Sequence, residues 1–152
     1  MNKKIIYIDM DGVLADFIKA FNNEPDDVRI KYKENKDDVP GMFMKMNPMP
    51  GAIEGFNLLS KRFDVFILSS APWNNPSAWS DKLEWVKKFL GEKATKKLIL
   101  SHRKDLNIGD YLIDDRWQNG AGDFKGKWLH FGETGKYKNW NDIMEYFNNI
   151  DL

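Results

Sequence analysis

The chain has no cysteine. Disulfides, thiolate metal sites and thiol nucleophiles are excluded together, so an enzymatic site has only oxygen and nitrogen groups to work with. Histidine is scarce too: His102 and His130 lie far apart in sequence, and no cluster of histidines is available for zinc. Charge of one sign is also missing. Lys plus Arg equals Asp plus Glu at 23 each, which removes any overall pull toward a nucleic acid polymer or an anionic membrane. Long apolar runs are lacking: Ile5 to Ile8, after the basic start, is cut by Asp9 and Asp11, too soon for a signal peptide. No stretch approaches the roughly 20 apolar residues of a membrane span. The expected location is the cytoplasm.

What is present fits one ordered domain over residues 1–152. A chain of 152 residues can bury roughly two-thirds of its unfolded surface, and aromatic residues, 14 % of the total, are spread along its length to fill a core. Apolar runs rich in Ile, Val, Leu and Phe occur at Lys4–Ile8, Phe63–Leu68, Lys97–Leu100, Tyr111–Ile113 and Lys127–Phe131. They are short and lack alternation, the pattern of strands buried on both faces. Between them, helical spacing predicts helices over Gly51–Lys61 and Ser77–Leu90, and another near the end through Trp140, Ile143, Met144, Phe147 and Ile150. This order predicts an α/β fold, a Rossmann-like five-stranded parallel sheet with helices on both faces. Residues 16–50 lack a strand-like run, are rich in charge and Met, and are bracketed by Pro and Gly; they are expected to form a small helical cap inserted over the site.

Ligands of such sheets sit beyond the carboxyl ends of the strands. Asp9 and Asp11 follow the first run, Ser69 and Ser70 the second, Ser101 to Lys104 the third, and Asp114 with Asp115 the fourth. Gly12 lets the backbone turn sharply after the first pair. If both acidic pairs meet, carboxylates about 4 Å apart repel by roughly 4 kcal/mol at an effective dielectric near 20. Such a cluster requires a cation or raised pKa values. Mg²⁺ suits it, because it takes oxygen ligands and is commonly held by one or two carboxylates together with a substrate phosphate. A carboxylate can attack phosphorus while a second carboxyl group protonates the leaving oxygen. A hydroxyl, backbone amides and a lysine should surround the transferring group, parts that Ser69 and Lys104 can supply.

Asp9-Met10-Asp11-Gly12 after Ile5–Ile8, then Ser69, Lys104 and Leu112-Ile113-Asp114-Asp115 in that order, resembles the haloacid dehalogenase (HAD) superfamily over essentially the whole chain. Within it, Tyr7 to Phe17, Met49-Pro50-Gly51-Ala52 and Leu112 to Arg116 look like the 5′(3′)-deoxyribonucleotidases. The resemblance implies a HAD-like core and Mg²⁺-dependent hydrolysis of a nucleoside monophosphate. It makes Asp9 the nucleophile and Asp11 the general acid and base, its backbone carbonyl reaching the metal. Asp9, Asp11, Asp114 and Asp115 would form the metal set, with either of the last two completing it. Ser69 and Lys104 would bind phosphate, and Ser70 could exchange roles with Ser69. Phe17, Phe43 and Trp73 are the candidates for an apolar wall against a base.

Plainer readings exist. Asp114 or Asp115 can serve as a helix cap, Arg103 and Lys96 compete with Lys104, and Asp26–Asp38 reads as a solvated helical face. A receiver-type signalling module uses similar residues but places its phosphorylated Asp after a middle strand, where this chain has Ser69-Ser70. A phosphatase of another small metabolite would share the same catalytic core.

Overall fold

The computed structural model describes residues 2–150. Five strands occupy the five apolar runs: β1 (Ile5–Ile8), β2 (Asp64–Ser69), β3 (Leu98–Leu100), β4 (Tyr111–Asp114) and β5 (Lys127–His130). All pair in parallel, in the order β3-β2-β1-β4-β5. The chain builds from β1 out to β3, then restarts at β4 on the other side of β1. The order therefore reverses between β1 and β4, the place where open parallel sheets bind ligands. Ile8 lies opposite both Ile67 and Ile113, so the carboxyl ends of three parallel strands gather on one edge of the sheet.

Side chains alternate across the sheet. Ile6 and Ile8 point to one face, where α3 (Ala52–Arg62), α4 (Pro76–Leu90) and α5 (Trp140–Asn148) bring Phe56, Leu59, Trp85, Val86, Ile143 and Phe147 into one large core. Tyr7, Leu68 and Leu112 point to the other face and pack with Ala121 and Phe124 in a smaller cluster. The expected helices on both faces thus become a lopsided cover. The links from β3 to β4 and from β4 to β5 carry only single 3-10 turns, at Lys104–Leu106 and Ala121–Asp123, and these suffice for the small apolar patch beneath them.

Between β1 and α3 the chain forms α1 (Phe17–Asn22), α2 (Asp26–Lys31) and 3-10 turns at Lys36–Asp38 and Met42–Lys45. Asp16 starts α1 by accepting a hydrogen bond from the Lys19 amide at 3.1 Å, satisfying a donor that the first helical turn leaves free. The segment is rooted, since Phe21, Val39, Met42, Phe43 and Met46 are buried. Trp85 Nε1 donates to the Met46 carbonyl at 2.9 Å, and Asn75 Nδ2 donates to the carbonyls of Asp37 (3.0 Å) and Val39 (3.1 Å). No helix among the described residues is long and apolar enough to cross a membrane.

Candidate active site

Asp9 leaves β1 at the reversal point, its amide donating to the Ile113 carbonyl of β4 at 2.8 Å. The loop then closes tightly, with the amides of Leu14 and Ala15 both donating to the Met10 carbonyl at 2.9 Å. Gly12 sits in this loop at φ +81°, and a Cβ there would run into the Asp115 carboxylate. A side chain would hold the two acidic loops apart, which gives the glycine both a conformational and a steric reason. Asp9, Asp114 and Asp115 consequently present carboxylate oxygens all within 4.8 Å of one another. Lys104 Nζ bridges two of them, donating to Asp9 Oδ1 at 2.9 Å and Asp114 Oδ2 at 2.5 Å.

The shared environment separates the acids. For Asp9, burial works to raise the pKa, but the charge and hydrogen bond of Lys104, a hydrogen bond from Asp115 and the charge of Lys82 outweigh it, and the pKa falls below the ordinary value. Asp11 is raised, chiefly by burial and also by the charge of Asp9, against the opposing pull of Lys82. Asp114 rises to about 7 through burial and then the Asp9 charge, which Lys104 offsets only partly. Asp115 rises to about 8 for the same two leading reasons. Burial depresses Lys104, yet Asp9 and Asp114 overcome that and raise it. The result is one carboxylate held ionised among others that favour a proton.

Raised pKa values are one answer to crowded carboxylates; a cation is the other. Asp11 Oδ1 and Asp115 Oδ1 are buried yet have no hydrogen-bond partner among the described residues. Unpaired buried carboxylate oxygens are costly, and a hard divalent ion with oxygen ligands would satisfy such a donor set. The residues present fit Mg²⁺.

A cavity of about 710 Å³ opens beside the cluster, within the range of small-molecule sites. Asp11, Gly12, Asp115 and Arg116 line its acidic end, together with Ser70. Phe17 and Trp73 line it as well, and Trp73 is 79 % exposed, an unusual position for an indole. Phe43 does not line it. Its ring is fully buried, 5.8 Å from that of Phe17 and 4.8 Å from Lys82 Nζ, so this aromatic supports the cavity from beneath. Ser69 is also buried, and its hydroxyl accepts a hydrogen bond from Lys82 at 2.7 Å, whereas the Ser70 hydroxyl accepts one from Asn119 Nδ2 at 3.0 Å. Arg103 pairs with Asp105 instead of entering the cluster, which separates it from Lys104.

Several contributors escaped the sequence reading. Lys82 is completely buried, and its signal lay in α4: it falls on the helix stripe of Ala78, Trp85 and Val86, where an apolar residue is expected. His102 lines the cavity, its Nε2 within hydrogen-bonding distance of the Ala71 carbonyl at 2.7 Å and its ring beside Trp73 and Trp79. Arg116 and Asn119 also reach the wall. The stretch read as a purely solvated face contributes Lys33, Glu34, Lys36 and Asp37 to the same cavity.

Comparison with known proteins bears on the family and the fold. The profile of the family described as "5' nucleotidase, deoxy (Pyrimidine), cytosolic type C protein" matches residues 24–146. A protein of Vibrio phage KVP40 named "Putative 5'(3')-deoxyribonucleotidase" is 49 % identical over 145 residues, covering 95 % of this chain and 85 % of its own. In fold, the chain is similar to a HAD-hydrolase of Bacillus subtilis bound to magnesium, with a TM-score of 0.64 at 12 % identity, covering 99 % of this chain and 100 % of the other. It is also similar to a haloacid dehalogenase-like hydrolase of Streptococcus pneumoniae, with a TM-score of 0.60 at 14 % identity, covering 95 % and 90 %. With a profile match over most of its length and so near a relative, the chain belongs to the cytosolic type C deoxy 5′-nucleotidase family and has the HAD fold.

Proposed function

We propose that this HAD-type phosphoric monoester hydrolase is an Mg²⁺-dependent 5′(3′)-deoxyribonucleotidase that removes phosphate from nucleoside monophosphates through an aspartyl phosphate on Asp9. One observation carries the reading: Asp9 accepts a hydrogen bond from Lys104 at 2.9 Å within a cluster of carboxylates, and Asp115 of that cluster lines, with Asp11, an adjoining cavity of about 710 Å³. An Asp9 oxygen attacks phosphorus, the ester P–O bond breaks, and the departing sugar oxygen takes the proton of Asp11. Asp11, now ionised, takes a proton from water as the water oxygen attacks phosphorus. The bond to Asp9 breaks, and inorganic phosphate leaves with Asp9 restored.

Asp9, Asp114 and Asp115, with the Asp11 backbone carbonyl, would hold the Mg²⁺, which supplies positive charge against the phosphoryl oxygens. Lys104 provides fixed positive charge beside the nucleophile, and the hydroxyls of Ser69 and Ser70 orient the phosphate. Residues 16–50 act as a cap within one domain, and Trp73 and Phe17 form the wall on which a base stacks. The partner is a small nucleotide in the cytoplasm, neither a nucleic acid polymer nor a membrane. Release of phosphate from a panel of nucleoside monophosphates and sugar phosphates, with and without EDTA, tests this. Preference for deoxynucleotides, abolished by EDTA, is expected; activity indifferent to chelation, or confined to sugar phosphates, would overturn it.

A further inference from the structure

The mechanism above leaves one buried cation unused. Lys82, on α4, is 0 % exposed, its Nζ donating to Asp11 Oδ2 at 2.9 Å, Ser69 Oγ at 2.7 Å and the Ser70 carbonyl at 2.9 Å. An ammonium has three N–H donors, and these three acceptors take all of them. Lys82 is also absent from the cavity wall. It therefore has neither a free donor nor a path to a substrate phosphate. A fully buried lysine is rare and carries a large desolvation cost, so its placement calls for a reason other than filling space.

The atoms it selects supply that reason. Lys82 takes Oδ2 of Asp11 and leaves Oδ1 as the buried oxygen without a partner. On Ser69 it takes a lone pair of the hydroxyl, so the Ser69 proton is free to be donated elsewhere. The Ser70 carbonyl contact ties both side chains to the loop after β2, and the Phe43 ring, 4.8 Å away, closes the remaining side of the ammonium. We infer that Lys82 is a positioning residue that fixes the Asp11 carboxyl group by holding its Oδ2, and fixes Ser69 so that its hydroxyl proton stays free for the phosphoryl group. This rests on the phosphatase reading and adds a second lysine to it: Lys104 serves the nucleophile, Lys82 the proton donor.

A purely structural lysine and a positioning one differ in what they do to different leaving groups. A deoxyribose hydroxyl leaves as a strong base and needs the proton of Asp11, whereas 4-nitrophenolate is a weak base and departs with little help. Lys82→Met, of similar length but without donors, is assayed on a deoxynucleoside monophosphate and on 4-nitrophenyl phosphate beside the wild-type chain. The expected result is a fall in kcat of roughly a hundredfold or more on the nucleotide, within the range for lost general acid catalysis, and a fall at least tenfold smaller on the aryl ester. In an Asp11→Asn background, Lys82→Met is expected to add little further discrimination between the two esters, because residues acting as a unit are not additive. Equal losses on both esters, or full additivity with Asp11→Asn, would overturn the inference. If Lys82→Met does not fold, Lys82→Gln, which keeps a donor, is read by the same ratio. A wild-type chain that hydrolyses neither ester would instead overturn the phosphatase reading.

Discussion

The floor and the roof of the cavity are built on opposite terms. The floor is the carboxyl edge of β1 and β4: Asp11 and Asp115 line it, and behind them Asp9 and Asp114 are almost fully buried with their backbones paired in the sheet, while Lys104 and Lys82 are held there by several hydrogen bonds each. The roof is drawn from residues 17–37 and the loop after β2, where Lys33, Glu34, Lys36, Asp37 and Trp73 face solvent as well as the cavity. Charge is concentrated and desolvated in the floor; in the roof it is mixed and hydrated. The contrast teaches that reactivity resides where geometry is over-determined and selectivity where side chains can vary without disturbing the sheet.

The largest expected contrast comes from the proposed nucleophile. Asp9→Asn should lower kcat by about four orders of magnitude or more while the circular dichroism spectrum is retained. Asp11→Asn follows, with a loss of roughly a hundred- to ten-thousandfold in kcat on nucleotides. A comparable effect from any roof substitution would break the distinction.

Phe43 and Trp73 sharpen it. Phe43 is buried beneath the roof, so Phe43→Ala should cost about 3–5 kcal/mol of stability in a denaturant titration. Trp73→Ala should leave stability unchanged and raise KM for nucleotides by roughly tenfold or more, as loss of a base-stacking surface would. If Trp73→Ala unfolds the protein or changes kcat alone, the indole is not a wall for substrate.

The smallest effect is on melting. Asp114 and Asp115 have folded-state pKa values raised to about 7 and about 8, above the ordinary carboxylate value. Groups raised in this way bind more protons folded than unfolded, so their contribution is present at low pH and lost as pH rises through those values. Metal-free protein should therefore lose a few degrees of Tm between about pH 5 and pH 8. Mg²⁺ held by the same carboxylates would replace those protons, so its stabilisation should be larger at pH 8 than at pH 5. A metal-induced shift independent of pH would contradict this charge assignment.

Legibility in the sequence divided along the same line. Asp9, Asp11, Asp114 and Asp115 could be read because they follow short apolar runs, and a parallel sheet gathers strand ends onto one edge. Lys104 stood out by its place before the last acidic pair. Lys82 did not, because helical periodicity records which residues are apolar and treats a lysine on the buried stripe as a gap in the pattern. Phe43 was legible as an aromatic of the insert but not in its direction, which depends on how a segment of short turns packs on α4. His102 and Lys33 to Asp37 reach the cavity only through loop paths that no periodicity encodes.

The central claim is that Asp9 carries the phosphoryl group, and trapping tests it most directly. Enzyme turning over a deoxynucleoside monophosphate with Mg²⁺ is quenched rapidly, treated with borohydride, which reduces an acyl phosphate to the alcohol, and mapped by mass spectrometry. Reduction at Asp9, absent without substrate and absent in Asp9→Asn, is the expected result. Full phosphate release with no modification at Asp9, or with reduction at Asp11, Asp114 or Asp115 instead, would contradict the account.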